Sequence, residues 1–208
     1  MVDSVLKRVV DVVGASLLLL ASAPLAAAVA IAIRLDSRGP VLLRQERCGY
    51  RGKRFTCLKF RSMRADSDDG RHRAYVSELL SGNGAAAGDG VFKLENDDRI
   101  TRVGAWLRRT SLDELPQLWN VLRGEMTLVG PRPPLPYEVE LYDQRQWQRL
   151  ECRPGLTGLW QVSGRNKMSY LDMCEVDLEY IGRWNHRLDA AILLRTVPVV
   201  LLNRGHAR

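Results

Sequence analysis

The longest apolar run comes first. From Val12 to Ile33 there are 22 residues without a charge, enough for a helix of about 33 Å, against a hydrocarbon core of roughly 30 Å. Pro24 stands in the middle of this run, and an interior proline removes a hydrogen bond and bends the axis. Both flanks are basic: Lys7 and Arg8 precede the run, and Arg34, Arg38, Arg44 and Arg47 follow it. Positive charge marks the cytoplasmic side of a membrane segment. The pattern therefore predicts a hairpin-like helix that enters one leaflet, breaks at Pro24 and returns. Ser22 is placed to bond backbone groups freed at that break. An ordinary signal anchor, oriented by its longer basic flank, is the competing topology. A cleaved signal peptide is disfavoured, because the run is long and "RLDSRGP" offers no small-x-small site beside it.

Beyond the run the period changes. "VLLRQERCGYRGKRFTCLKFRSM" predicts a β-hairpin: Val41 to Leu43, a turn at Gly49 and Gly52, then Phe55 to Phe60. It puts Lys59 and Arg61 on alternate positions of one extended stretch. "SGNGAAAGDG", Ser81 to Gly90, is a low-complexity loop. Thr101, Val103, Trp106 and Leu107 predict a helix ending near Arg109; Leu115, Leu118, Trp119 and Leu122 share one face of the next. In "LVGPRPPLP", Pro131 and Pro133 hold Arg132 outside a helix, either as a phosphate fork or as a surface arginine. A helix around Tyr137 to Leu150, the glycine-rich "RPGLTGLWQVSGRN", and helices near Tyr170–Ile181 and Leu188–Leu202 complete the chain. The last helix is apolar enough for a membrane surface or a buried core.

At 208 residues the chain is long enough for one domain with a sizeable core. Its net charge of +7 is concentrated, since Arg34 to Arg73 holds 12 Lys/Arg against 5 Asp/Glu. Such a block suits a polyanion: nucleic acid, anionic headgroups or a phosphorylated substrate. The four cysteines (Cys48, Cys57, Cys152, Cys174) lack C-x-x-C spacing, and the three histidines are scattered. Reduced, core-filling thiols are expected rather than zinc ligands or disulfides. No P-loop, dinucleotide-binding turn or serine elbow is present. What stands out is "TSLDELPQLWN", where Asp113 and Glu114 follow Arg108 and Arg109. Ser111 and Glu114 have capping-box spacing, and Pro116 suits a first helical turn. Carboxylates beside cations also suit phosphoryl chemistry. An aspartate can attack phosphorus while arginines and a divalent metal neutralise the phosphate charge.

"KFRSM", "TSLDELPQLWNVLRGEMTLVGPRP" and "RPGLTGLWQVSGRN", in that order behind a proline-broken apolar segment, resemble the bacterial sugar transferase family. These are monotopic polyprenyl-phosphate phosphoglycosyl transferases, and the similarity runs from about Lys7 to Leu202. The resemblance implies transfer of a sugar 1-phosphate from a UDP-sugar to polyprenyl (undecaprenyl) phosphate, releasing UMP, as the first membrane step of glycan synthesis. It implies Asp113 as nucleophile, Glu114 in proton transfer or metal positioning, and Mg²⁺ at Asp113 and the diphosphate. It also implies Arg108, Arg132, Lys59 and Arg61 near the phosphates. A helix N-terminus would keep Asp113 ionised. The family's membrane break is often Ser-Pro; here Ala23 precedes Pro24 and Ser22 stands one residue further back. Larger relatives carry extra N-terminal membrane helices, so a short form or an excerpted core is expected.

The expected architecture is α+β and mostly helical. Residues 1–38 form a re-entrant membrane helix, and 39–208 a catalytic domain with a small β-hairpin, on the cytoplasmic face of the bacterial inner membrane. UDP-sugar, polyprenyl phosphate and membrane lipids are the expected partners, with a homodimer and downstream glycosyltransferases as further candidates and no nucleic acid. Two rivals are a membrane-anchored scaffold and a polyanion binder. A pure polyanion binder gains nothing from Asp113 and Glu114 beside its arginines.

Overall fold

The computed structural model describes residues 2, 4–64, 99–163 and 168–201. The Ser81–Gly90 insert lies outside the described residues.

Helix α1 spans Val5–Asp36, started by Ser4, whose hydroxyl accepts from the Lys7 amide at 3.0 Å. It is long and apolar enough to cross a membrane, and little of its most apolar stretch is buried in the molecule. The break expected at Pro24 is not an interruption: helical conformation continues through it. Proline's fixed φ is itself helical, so the chain need not leave the helix where the amide is missing. Ser22 does not reach the carbonyl that Pro24 leaves free, four residues back at Leu20. It donates one turn earlier, to Leu18 O at 2.6 Å.

Both ends of α1 are fastened to the same body. At the start, the Lys7 ammonium bonds Asp189 at 2.6 Å and Val129 O at 2.9 Å, while Asp11 accepts from Thr127 Oγ1 and the Leu128 amide. At the end, Val29 and Ile33 pack with Phe60 and Leu107, and Asp36 accepts from the Val103 amide at 3.1 Å. Between these moorings Leu20 is 74% exposed.

The predicted hairpin is present. Strands β1 (Leu42–Cys48) and β2 (Arg54–Phe60) pair antiparallel, from Leu42 opposite Phe60 to Cys48 opposite Arg54. Helix α2 (Arg102–Thr110) is capped by Thr101, and Gly104 lets it press on the chain at Ser62. A Cβ there would lie 2.0 Å from Ser62 O. A 3-10 turn, Leu112–Glu114, leads into helix α3 (Gln117–Leu122). Leu118 and Val121 of α3 enter the core with Cys57, Met126 and Ala15, whereas Trp119 faces outward.

Strand β3 (Thr127–Val129) pairs parallel with β4 (Gly155–Thr157), a contact the sequence pattern did not reveal. It joins the two proline- and glycine-rich motifs backbone to backbone: a Cβ on Gly155 would meet Gly130 N at 2.1 Å. The single helix expected over Tyr137–Leu150 is instead α4 (Pro136–Val139), α5 (Gln144–Trp147) and a 3-10 turn, Gln148–Glu151. Asp143 causes the restart, because its carboxylate caps α5 by accepting from the Gln146 amide at 2.7 Å. Short helix α6 (Leu159–Val162) precedes α7 (Tyr170–Arg183) and α8 (His186–Leu201). Ile192 buries one face of α8, while Leu194 and Val197 are exposed on it. The whole is α+β and mainly helical.

Candidate active site

The acid pair is held differently from a capped helix start. Ser111 takes a left-handed conformation (φ 56°) that ends α2, its amide donating to Arg108 O at 3.4 Å. An N-cap hydroxyl needs extended backbone to reach the first turn. Ser111 therefore makes no side-chain cap, and the capping box is absent. Asp113 and Glu114 project from one 3-10 turn between two helices, ahead of Pro116. One turn carries little macrodipole, so a helix N-terminus is not what sets the charge of Asp113.

Its surroundings do. Burial pushes the Asp113 carboxyl up to about 6, aided by the neighbouring Glu114 charge and opposed by Lys59 and Arg108. Lys59, on β2, reaches Glu114 Oε1 at 3.4 Å. It shares a strand face with Cys57, two residues earlier, whose side chain is in the core. Arg108 comes from the last turn of α2, and its Nη1 is buried without a hydrogen-bond partner. An unpaired guanidinium N–H beside two carboxylates is an open donor for an anion. Asp113, Glu114, Lys59 and Arg108 are thus brought together.

Arg61 is not among them. Its guanidinium donates to Arg38 O at 2.6 Å and to Ser37 O at 2.7 Å, and it is 4% exposed. It ties the strand to the end of α1. Arg132 faces a different acid: Nη1 lies 3.2 and 3.4 Å from the two oxygens of Glu138. Burial alone would raise Glu138, yet Arg132 and Arg47 hold it below the usual carboxylate range. Beneath the proline-rich loop, buried Arg149 bonds Asp177 at 2.7 Å and also reaches Tyr142 and Cys174. Asp177 in turn accepts from the Arg132 amide.

Several of these residues carried no sequence signal. Glu138, Arg149 and Asp177 belong to no motif in the sequence, and only the fold turns them inward. Lys7 and Arg8 read as flanking charge of the apolar run, and nothing singled out Asp189. Asn120 stood inside the acid-pair motif without a task. The four cysteines are free and buried as expected, and burial raises the thiols of Cys48, Cys57 and Cys174.

Among the described residues no group of three or more His, Cys, Asp or Glu could hold a metal. Two carboxylates on one turn still suit a hard cation such as Mg²⁺, which keeps waters and takes one or two carboxylates plus substrate phosphates.

A family model described as bacterial sugar transferase matches residues 2–203. The exopolysaccharide production protein ExoY of Rhizobium meliloti is 43% identical over 201 residues, covering 96% of this chain and 87% of that protein. The undecaprenyl-phosphate galactose phosphotransferase of Salmonella typhimurium is 43% identical over 202 residues, 96% of this chain but 41% of its own length. The UDP-glucose:undecaprenyl-phosphate glucose-1-phosphate transferase of Caulobacter vibrioides is 43% identical over 205 residues, 94% of this chain and 69% of that protein. The chain thus spans most of ExoY and under half of the Salmonella relative. With the ordered motifs and the fold in hand, this chain belongs to the bacterial sugar transferase family.

Proposed function

We propose that the protein transfers a sugar 1-phosphate from a UDP-sugar to polyprenyl phosphate through a covalent aspartyl intermediate. One observation carries this: Asp113, raised to about 6, sits beside Glu114, Lys59 and Arg108, whose Nη1 is buried without a partner. At neutral pH a carboxyl with that value is about 90% ionised and more basic than an ordinary aspartate. It is a competent nucleophile whose repulsion by phosphate is offset by two adjacent cations.

An Asp113 carboxylate oxygen attacks the sugar-bearing phosphorus. The bond from that phosphorus to the bridging oxygen breaks, and UMP leaves with the oxygen. A polyprenyl phosphate oxygen then attacks the same phosphorus, releasing Asp113 and forming polyprenyl diphosphate sugar. Arg108 and Lys59 orient and neutralise the diphosphate. Glu114 holds Lys59 and manages protons at the site. Mg²⁺, when bound at Asp113 and the diphosphate, supplies further charge neutralisation. The names of the Salmonella and Caulobacter relatives support this acceptor class and suggest two donor sugars, galactose and glucose.

The same reading places α1 in one leaflet at the cytoplasmic face of the inner membrane. A spanning helix would deliver its ends to opposite faces of a core of roughly 30 Å, whereas Lys7 and Asp36 are both bonded to one body. The apolar middle of α1 is the part left for lipid. The protein would act on an acceptor presented at the membrane surface.

The test is UMP release from UDP-glucose, UDP-galactose and their N-acetylated counterparts, with polyprenyl phosphate in detergent. At least one donor should turn over with the wild type and none with Asp113→Asn. Indifference to every UDP-sugar, with binding that follows DNA concentration instead, would favour the polyanion-binder rival.

A further inference from the structure

Asn120 closes the acid-pair motif, 1% exposed and seven residues beyond Asp113. Its side chain is fully engaged. Oδ1 accepts from the Leu58 amide at 3.0 Å, and Nδ2 donates to Thr56 O at 2.7 Å and to Glu125 Oε2 at 2.6 Å. The Thr56 carbonyl and Leu58 amide point to the same edge of β2, the edge that no strand occupies among the described residues. The carboxamide therefore stands in for one peptide group of a missing neighbouring strand. Glu125 fixes which end of the amide is the donor, so a flipped amide would face like groups on both sides.

The residue after Leu58 is Lys59. We propose that Asn120 is a positioning residue that sets the Lys59 ammonium against Glu114. It does so by locking the edge of β2 to α3, the helix that follows the acid turn. Lys59 is a flexible side chain at a 3.4 Å contact, and a backbone displaced by about 1 Å at its root is enough to lose that contact. The geometry stands independently of the chemistry; only the kinetic consequence rests on the phosphoglycosyl transfer proposed above.

The experiment has two readouts on the whole protein in detergent. The first needs no activity: acylation of lysines by a small reagent, followed peptide by peptide by mass spectrometry, with exposed Lys53 as internal standard. In the wild type Lys59 should react at least about fivefold more slowly than Lys53, being paired and mostly covered. Asn120→Ala and Glu125→Ala should each speed Lys59 by about threefold or more and leave Lys53 unchanged. The second readout is steady-state UMP release. Asn120→Ala should lower kcat about tenfold or more with the UDP-sugar KM within about twofold. Adding Asn120→Ala to Lys59→Met should cost less than about threefold further, although Asn120→Ala alone costs about tenfold. Unchanged Lys59 reactivity, or kinetic effects that multiply fully, would overturn the inference. If Asn120→Ala does not fold, the partly exposed Glu125→Ala decides by the same criteria. A wild type that releases no UMP from any UDP-sugar refutes the proposed function, while the labelling still decides the role of Asn120.

Discussion

At Asp113 two opposite influences meet, and their balance is measurable. Burial and Glu114 raise the carboxyl to about 6, while Lys59 and Arg108 pull it down. In the proposed mechanism the attacking form is the anion, so kcat/KM should fall as pH drops through about 6, with the slope of one proton. The sign of each neighbour then follows. Lys59→Met removes a lowering influence and should move this limb to higher pH; Glu114→Gln removes a raising one and should move it lower. A limb that stays put in both variants would exclude Asp113 as the titrating group. Arg132 belongs to a separate cluster, its guanidinium held on fully buried Glu138. Arg132→Lys keeps the charge and loses the planar fork. We expect a loss of roughly tenfold or more in kcat/KM, with destabilisation of about 1–3 kcal/mol as Glu138 loses donors. Near-normal turnover in that variant would mean that the Arg132–Glu138 cluster takes no part in substrate binding.

Elements were legible where their periodicity was strong and local. The β1–β2 hairpin, α2 and the two closing helices follow from alternation, glycine turns and caps visible in the sequence. Contacts between distant short segments were not. The parallel β3–β4 pair joins two three-residue strands whose glycines read locally as turn signals. Their true constraint is mutual backbone approach at Gly130 and Gly155. The acid turn was misjudged for a similar reason: Ser111–Glu114 spacing satisfies a capping box, but the left-handed Ser111 serves the preceding helix instead. In α1 the basic flanks were legible, but not that Lys7, Arg8 and Asp11 bind the body directly. Those ties make topology testable. Single cysteines placed near Val2 and Ser37 should both be shielded from a membrane-impermeant thiol reagent in intact cells; labelling of only one would mean that α1 spans. Pro24→Leu restores the missing amide hydrogen bond to Leu20 O and should stiffen α1, shifting part of the population towards one-sided labelling. Lys7→Met strands Asp189 in a buried setting and should destabilise the fold by about 3–5 kcal/mol, read as a lowered unfolding midpoint in detergent.

For the molecule as a whole, a long apolar helix is moored at both ends to the body that carries the acid–cation site. The proposed function sets that body against a membrane. That arrangement suits a reaction joining a water-soluble donor to a lipid acceptor. A two-step course lets each substrate react with the protein in turn, so donor and acceptor need never be bound together. Such a course turns on the covalent step at Asp113, and the most direct measurement omits the lipid. Enzyme mixed with a competent UDP-sugar alone should release UMP once per active site and then stop. The peptide containing Asp113 should gain the mass of one sugar phosphate, polyprenyl phosphate should discharge it, and Asp113→Asn should show neither burst nor adduct. A donor that turns over with polyprenyl phosphate present, yet gives no UMP burst and no adduct without it, would contradict the account and require direct attack by the acceptor.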